Sequence, residues 1–595
     1  MTALLVRMLV LSRFAVSPHF WPATDDMRFY ADWAIRISQG QWTDGQAFYG
    51  LPGYAFCLAG IFSLVGVSPL IVGVIQVGLE TFTSVLIFKI ARFTVTESQN
   101  REPAFAAGAV GILASLAWIF YLPAQTFSSI LMPSAWLVAA FWGCVWWLVK
   151  GRAPSSLWTW LAFGVFLGVV SMIVATILFL IPLFLIAILL RSQAEKRLPQ
   201  IGIAVALLFA GVFIGTSPAW LHNYFLAKDP VLLSAHGGLN FWMGNNPDAT
   251  GYPKIPNGLS AGQEGLLRDS ITRAEEAAGH KLKRSEVSKY WSGKADAWIR
   301  ENRGAWFALL GVKLRNFWNA FQYDDLSEIT LLREEGVLTP GITFGLVAVL
   351  GLPGMLMAAW RFPRARWVAA AVLLHICALM PVFITERYRL CAVPGLMVFA
   401  AFTIVEIWRT FAAARWLAAG VMLLAVGAAS WFVSWPQREP GLWALDPFNT
   451  GLKVMRAGNL ELAQTKLETA LRLVPDNAEI NFSLGNLWYE KGDMQRAKYG
   501  YRRAIELNDK HVSAWMNLGR VETHERQWDA AEKYLRAAIT LDPASARAHL
   551  FFAELKLAQG DLSAARTAAA KAMELRPDQP ELIELKKKIE STPAP

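Results

Sequence analysis

The stretch PLIVGVIQVGLETFTSVLIFKIA, residues 69–91, indicates how this chain is built. It is largely apolar, and its charged residues are Glu80 near the middle and Lys89 near the end. An apolar helix of about 20 residues can cross the hydrocarbon core of a membrane. Comparable stretches follow one another from the N-terminus to about residue 434, in a chain that is 54% hydrophobic and only 17% charged. These features predict a polytopic, all-α membrane bundle.

We expect about eleven spans, the first taken as a span and not as a cleavable signal peptide. They are residues 1–17, 69–91, 104–121, 129–149, 157–172, 174–190, 199–219, 339–360, 367–385, 391–408 and 416–434. Residues 51–67 are also apolar, but a crossing there would place Lys89 and Arg92 outside. We therefore predict a helix at 51–67 that lies in the outer interface.

The positive charges of the junctions predict the orientation of the bundle. Lys and Arg cluster at alternate junctions only: Lys89, Arg92 and Arg101; Lys150 and Arg152; Arg191, Lys196 and Arg197; Arg361, Arg364 and Arg366; Arg409 and Arg415. Short loops rich in these residues stay in the cytoplasm. The intervening loops and the C-terminus are therefore predicted to face outward from a bacterial cytoplasmic membrane.

The net positive charge of the chain, +10, comes mostly from the residues before 446, where the positive junctions lie. Residues from 446 onward hold 22 Lys and Arg against 21 Asp and Glu, and the rest of the chain holds 34 against 25. The charge thus indicates membrane orientation and argues against a nucleic-acid partner. Cys57, Cys144, Cys377 and Cys391 show neither metal-type nor disulfide-type spacing.

The region C-terminal to residue 446 repeats with a period of 34 residues, as Gly451, Gly485 and Gly519 show. Alanines keep the same step: Ala463, Ala497, Ala531 and Ala565, and Ala470, Ala504, Ala538 and Ala572. This spacing resembles the tetratricopeptide repeat, a helix pair with small residues where its helices touch. The predicted domains are a membrane domain at 1–434 with a long outer loop at 220–338, a repeat array at 446–578, and a capping helix with a tail at 579–595. The array is predicted to bind a protein or peptide on its concave face, or to brace the membrane domain.

Two adjacent carboxylates, Asp25 and Asp26, follow the first span and are predicted to lie on the outer surface. One such carboxylate could deprotonate an acceptor hydroxyl or amine. Alternatively, either residue could cap the helix that follows.

Several segments of residues 1–434 resemble bacterial GT-C glycosyltransferases of the protein-O-mannosyltransferase-like, family-39-like superfamily. They are the acid four residues before Tyr30, the stretch Phe48-Tyr49-Gly-Leu-Pro52-Gly-Tyr54, the Gly244-Asn245-Asn246 turn, and Glu386-Arg387-Tyr388-Arg389. In that family the first outer loop supplies the catalytic carboxylate, and the donor is a sugar on a polyprenyl phosphate. The resemblance implies Asp26 as this carboxylate, with Asp25 as the alternative.

The resemblance also implies that Arg387, Tyr388 and Arg389 hold the donor phosphate. Their alternative role is snorkelling, or pairing with Glu386. Asn245 and Asn246 could contact substrate or could only form a turn. Glu80, costly inside a span, could contact substrate, relay a proton or pair with a neighbouring helix.

One feature of the family is missing. Many relatives have a second acid just before the Pro of the interfacial helix, whereas Tyr49-Gly50-Leu51 precedes Pro52 here. The outer loop at 121–133 contains no acid either.

The sequence thus predicts an inverting, extracytoplasmic glycosyltransferase that uses a lipid-linked sugar. No cofactor is firmly implied, and a divalent metal has no support in the sequence. The alternatives are a catalytically degenerate scaffold that presents the repeats and, less favoured, a transporter.

Overall fold

A computed structural model describes residues 1–22, 25–95, 104–151, 156–191, 197–256, 259, 262–577 and 580–591 of the chain. These residues form helices joined by turns, and the strand-type pairing among them is one isolated bridge between Tyr121 and Ile342. The expected all-α class is therefore confirmed. The chain divides into two compact units, Met1–Gln437 and Arg438–Pro595. Of the junction residues discussed above, Arg101, Arg152 and Lys196 lie outside the described residues.

The first unit contains the apolar helices and the long loop between them. Its N-terminal helices are α1 (Thr2–Phe14), α2 (Asp25–Ser38), α3 (Gly53–Val65), α4 (Pro69–Thr94), α5 (Ala104–Ile119), α6 (Leu122–Ser129), α7 (Ser134–Lys150), α8 (Trp158–Ser171), α9 (Ile181–Arg191), α10 (Arg197–Gly215) and α11 (Ser217–Leu221). Short 3-10 and π segments accompany them at Ala175–Leu180 and His222–Leu226.

The long loop is itself helical. It contains α12 (Gly237–Gly244), α13 (Gln263–Ala278), α14 (Arg284–Glu301), α15 (Arg303–Trp318) and α16 (Glu328–Glu334). The unit then ends with α17 (Phe344–Arg361), α18 (Pro363–Leu379), α19 (Glu386–Arg389), the 3-10 turn Leu390–Ala392, α20 (Val393–Ala412) and α21 (Trp416–Val433). Leu239, Met243 and Trp291 of the loop pack with Phe383, just before α19. The loop therefore lies against the segment that carries Arg387.

Fewer helices than expected have the length of a full span. Among the described residues, five helices are long and apolar enough to cross a membrane: Pro69–Thr94, Leu198–Gly215, Phe344–Arg361, Glu386–Ala412 and Trp416–Val433. The span expected at 129–149 corresponds to α7, which is bent by 116° against α6, and the number becomes six if this pair counts as one span. Pro133 stands at the start of α7 and has no N–H to continue a helix from α6. Four shorter apolar helices accompany them, including Gly53–Val65 at the predicted interfacial helix.

The second unit is a series of antiparallel helix pairs. Its helices are α22 (Pro440–Arg456), α23 (Leu460–Leu473), α24 (Ala478–Glu490), α25 (Met494–Leu507), α26 (Val512–His524), α27 (Trp528–Leu541), α28 (Ala546–Ala558), α29 (Leu562–Leu575) and α30 (Pro580–Ser591). All eight alanines of the 34-residue pattern are fully buried, because they lie where the helices touch. In α30, Leu582, Leu585 and Ile589 are buried against the last pair.

The turns within the helix pairs have glycine at three positions of the repeat and arginine at the fourth. Gly458, Gly492 and Gly560 have φ values of +85°, +79° and +83°, a left-handed conformation that glycine adopts without strain. Arg526 occupies the same turn of the third pair with φ +58°. The third pair therefore keeps the left-handed backbone conformation, although this conformation is unfavourable for arginine.

Candidate functional site

Asp26 is the second residue of α2, and its side chain is largely buried. One carboxylate oxygen forms an ion pair with the guanidinium of Arg387. The other accepts a hydrogen bond from the amide of Gln263, the first residue of α13, at 2.7 Å. Asp26 and Arg387 are therefore in contact although 361 positions separate them in the chain. The side chain of Asp25 lies outside the described part of the structure.

Arg387 is held by a second carboxylate that the sequence analysis did not identify. Its other terminal nitrogen lies 2.8 Å from an oxygen of Asp325, in the turn between α15 and α16. Arg387, Asp26 and Asp325, here called the carboxylate cluster, have side chains only 12–14% exposed. Asp324 and Asp325 are adjacent carboxylates, as Asp25 and Asp26 are, but they lie outside the segments that resemble the family.

Local structure fixes the position of Asp325. The carboxylate of Asp324 accepts hydrogen bonds from the backbone N–H groups of Leu326 and Ile329, at 3.2 and 2.6 Å. The backbone N–H of Glu386 donates to the carbonyl of Tyr323 at 2.9 Å. These bonds hold the turn against α19 and bring Asp325 to Arg387.

The two carboxylates have different electrostatic environments. Burial alone would raise the pKa of Asp26, but the charge of Arg387 and the hydrogen bonds from Arg387 and Gln263 hold that pKa below its ordinary value. Burial raises the pKa of Asp325 to about 6 against the charge of Arg387, and the negative charge of Asp26 adds to the rise. Asp26 is thus stabilised as an anion, whereas Asp325 titrates closer to neutrality.

A histidine and two tyrosines surround the cluster. Nδ1 of His236 lies 2.9 Å from the carbonyl oxygen of Tyr49, which only accepts hydrogen bonds, so this nitrogen carries the proton when the ring is neutral. Burial lowers the pKa of His236, although the charge of Asp26 opposes this. Tyr388 stacks on Phe383 with ring centroids 5.8 Å apart, and the guanidinium of Arg387 lies 5.1 Å from the centroid of Tyr388.

Arg389 lies in a different environment from Arg387. It forms an ion pair with Glu386 and donates to the carbonyls of Phe317, Asn319 and Phe321 at 2.7–3.2 Å. Its side chain is only 2% exposed. The structure therefore does not support Arg389 as a ligand of a donor phosphate, because its terminal nitrogens are committed to the protein. It favours the alternative of pairing with Glu386.

The hydrogen bonds of Asn245 and Asn246 favour structural roles. Asn245 is fully buried; its amide donates to the carbonyls of Phe241 and Pro381, and its oxygen accepts from Trp306 and Lys313. Asn246 donates to the carbonyls of Trp242 and Met243 and accepts from the N–H of Asp248. None of these hydrogen bonds involves the carboxylate cluster, which supports the turn over substrate contact.

Glu80 also lies apart from the cluster. It is buried in α4, and the indole of Trp118 in α5 interacts with its carboxyl group. Arg7 of α1 is buried as well and acts electrostatically on Glu80. This arrangement agrees with the alternative that Glu80 pairs with a neighbouring helix.

No three His, Cys, Asp or Glu side chains in the described ranges lie close enough together to hold a metal ion. What the cluster offers chemically is a fixed cation between two carboxylates of unequal basicity. Such a group can take up a proton and can stabilise a neighbouring anion.

Comparisons with known proteins identify the second unit. Residues 449–500 and 522–589 each match a family described as tetratricopeptide repeat. The human protein O-mannosyl-transferase TMTC1 is 31% identical over 91 residues, which make up 15% of this chain and 10% of that protein. The chain thus spans about a tenth of the length of the curated relative it matches.

Solved structures are also similar to part of the chain. YrrB, a TPR protein with an unusual peptide-binding site, is 20% identical over 31% of this chain and 91% of its own, with a TM-score of 0.23. MamA from Desulfovibrio magneticus RS-1 is 22% identical over 25% of this chain and 93% of its own, with a TM-score of 0.22. The two family matches show that residues 449–500 and 522–589 of this chain form tetratricopeptide repeats.

Proposed function

We propose that this chain is a membrane glycosyltransferase. It moves a sugar from a polyprenyl-phosphate donor to a protein, lipid or glycan acceptor on the outer side of a bacterial cytoplasmic membrane. The observation that carries the proposal is the carboxylate cluster. Residues 26, 325 and 387 are far apart in the chain, each belongs to a segment that the charge pattern predicts to be outside, and their side chains meet.

The chemistry of inverting transfer suits such a cluster. A carboxylate takes the proton of the acceptor as the acceptor attacks the sugar carbon, while the lipid phosphate departs with added negative charge. A fixed guanidinium stabilises that charge. The Nε–H of Arg387 has no hydrogen-bond partner among the described residues and is one of the N–H groups that can donate to a phosphate oxygen.

The test is transfer by the purified chain in liposomes, with a panel of polyprenyl-phosphate sugars and with peptide, lipid and glycan acceptors. The readouts are sugar incorporation and release of polyprenyl phosphate. We expect transfer by the wild type and a loss of roughly a hundredfold or more for Arg387→Gln, which removes the only cation of the cluster. Absence of transfer by the wild type with every donor would favour the scaffold function instead.

We also propose that the tetratricopeptide repeats bind a protein or peptide, either the acceptor or a partner. A cavity of about 370 Å³ between α23, α24 and α25 supports this proposal, since Trp488 and Tyr499 line it together with Arg496. Tyr499 is 72% exposed, so an aromatic surface is open to a ligand. Exposed aromatic and Arg side chains are the residue types most enriched in protein interfaces.

A further inference from the structure

The carboxylate cluster contains two acids on one guanidinium, and their surroundings differ. We infer that Asp325 accepts the proton of the acceptor, and that Asp26 is a positioning residue that holds Arg387. This inference rests on the proposed function and assigns the roles within that site. It differs from the family resemblance, which implies Asp26 as the base.

Both oxygens of Asp26 are already engaged. One is paired with the guanidinium of Arg387, and the other accepts from the amide of Gln263 at 2.7 Å. Each of these donors stabilises the charged form of the carboxylate. Protonation of Asp26 would weaken both of these interactions, so Asp26 is a poor proton acceptor in this arrangement.

One carboxylate oxygen of Asp325 is not engaged by Arg387. Its Oδ2 lies 2.8 Å from Arg387, whereas its Oδ1 is buried and has no hydrogen-bond partner within the described residues. A buried carboxylate oxygen without a donor is unfavourable, and the proton of an acceptor hydroxyl or amine would satisfy it. The turn made by Asp324 holds this oxygen in place.

The charges around Asp325 agree with this assignment. Arg387 and Asp26 act on it most strongly, and Tyr388 lies beside them. Burial raises the pKa of Asp325 to about 6, against Arg387 and with a further rise from Asp26, whereas the pKa of Asp26 lies below its ordinary value. A base with a pKa near the working pH accepts protons most effectively in a transition state.

The step balances with donor and acceptor alone. The acceptor oxygen or nitrogen forms a bond to the anomeric carbon of the sugar as the bond from that carbon to the phosphate oxygen breaks. The bonding electrons leave with the polyprenyl phosphate. The acceptor proton passes to Oδ1 of Asp325 and is later released to water. Because Asp325 becomes neutral as the phosphate gains charge, the cluster repels the leaving group less than before.

The experiment is the pH dependence of kcat/KM for the full chain in liposomes, measured for the wild type, Asp325→Asn and Asp26→Asn. Activity of the wild type should rise with pH through about 6, because the base works only when deprotonated. Asp325→Asn should lower kcat/KM by roughly 100- to 10,000-fold and abolish this rise. In Asp26→Asn the rise should persist but move to lower pH, because the charge that raises the pKa of Asp325 is gone.

Controls separate the chemistry from folding. Asp325→Glu should restore a pH-dependent rise if Asp325→Asn fails to fold, and Asp296→Asn, at an exposed position of α14, should match the wild type. A wild type that transfers sugar while Asp325→Asn keeps the same rise, and Asp26→Asn loses it, would overturn this inference and leave the proposed function standing. A wild type inactive with every polyprenyl donor would overturn both.

Discussion

At the scale of single residues, Arg387 and Arg389 are two positions apart but have different partners. Arg389 and Glu386 form a buried pair, and the hydroxyl of Tyr121 donates to Glu386 at 3.0 Å. The guanidinium of Arg389 also lies 4.1 Å from the ring centroid of Phe344 and binds the carbonyls that precede the Asp325 turn. Arg389 thus supports the backbone that carries Asp325.

We therefore expect Arg389→Gln to lower the free energy of unfolding by about 3–5 kcal/mol, because Glu386 would remain buried without its cation. The measurement is denaturant unfolding of the purified protein in detergent. The matched control is Arg28→Gln, whose pair with Asp32 is about half exposed and should contribute no more than about 1 kcal/mol. Equal stability of the two variants would contradict the structural role of Arg389.

At the scale of elements, α8 and α10 are in backbone contact through glycines at four-residue spacing. A Cβ atom at Gly164 would lie 2.1 Å from the carbonyl oxygen of Leu208, and one at Gly211 would lie 2.3 Å from that of Leu161. Glycines four residues apart, Gly164 with Gly168 and Gly211 with Gly215, permit such a close approach of two helices. Gly202, also in α10, has no atom within 4 Å of an added Cβ.

Two alanine substitutions in α10 should therefore differ in their effect on the free energy of unfolding. We expect Gly211→Ala to lower the free energy of unfolding by about 1–3 kcal/mol, since two helix backbones would have to separate. Gly202→Ala should leave stability unchanged or raise it by about 0.5–1 kcal/mol, because alanine favours helices. Thermal unfolding in detergent compares the two. Tolerance of alanine at Gly211 would show that α8 and α10 are not in this contact.

At the scale of the whole molecule, the described helices make two compact units, and the charge pattern predicts how the chain is oriented in the membrane. The unit Met1–Gln437 contains the long apolar helices and the carboxylate cluster, and Arg438–Pro595 contains the repeats. Among the described helices, α4 has 26 residues, whereas α1 and α3 have 13 each, which at 1.5 Å per residue is about 20 Å and shorter than the ~30 Å core. Helix length therefore does not distinguish α3, predicted to lie in the interface, from α1, predicted to span the membrane.

The orientation predicts the result of reporter fusions. A reporter fused after Pro595 should be active only outside the cytoplasm, and one fused near Arg152 only inside, because the positive junctions stay in the cytoplasm. The assay is a pair of reporters, each active in one compartment. A cytoplasmic C-terminus would mean that residues 51–67 cross the membrane, and it would place the repeats on the side opposite to the proposed site.

The amino-acid sequence by itself determined the features that depend on local patterns. Apolar stretches predicted an all-α chain, and the 34-residue period predicted the repeats, whose alanines are buried. Helical periodicity and small-residue contacts are encoded within a few turns of chain, so they can be read without the tertiary structure. Asp26 was a candidate as one of two adjacent carboxylates and through a resemblance to a family, whereas Arg387 was identified through the resemblance.

Only the tertiary structure decided which charged groups meet. In the folded chain Asp325 pairs with Arg387, and Arg389 pairs with Glu386. Helix α6 is bent against α7. These outcomes depend on which distant segments pack together, since the same Asp or Arg is solvated, paired or buried according to neighbours hundreds of positions away. The basicity of a carboxylate follows from that burial and pairing, and so the difference between Asp26 and Asp325 arises only in the folded chain.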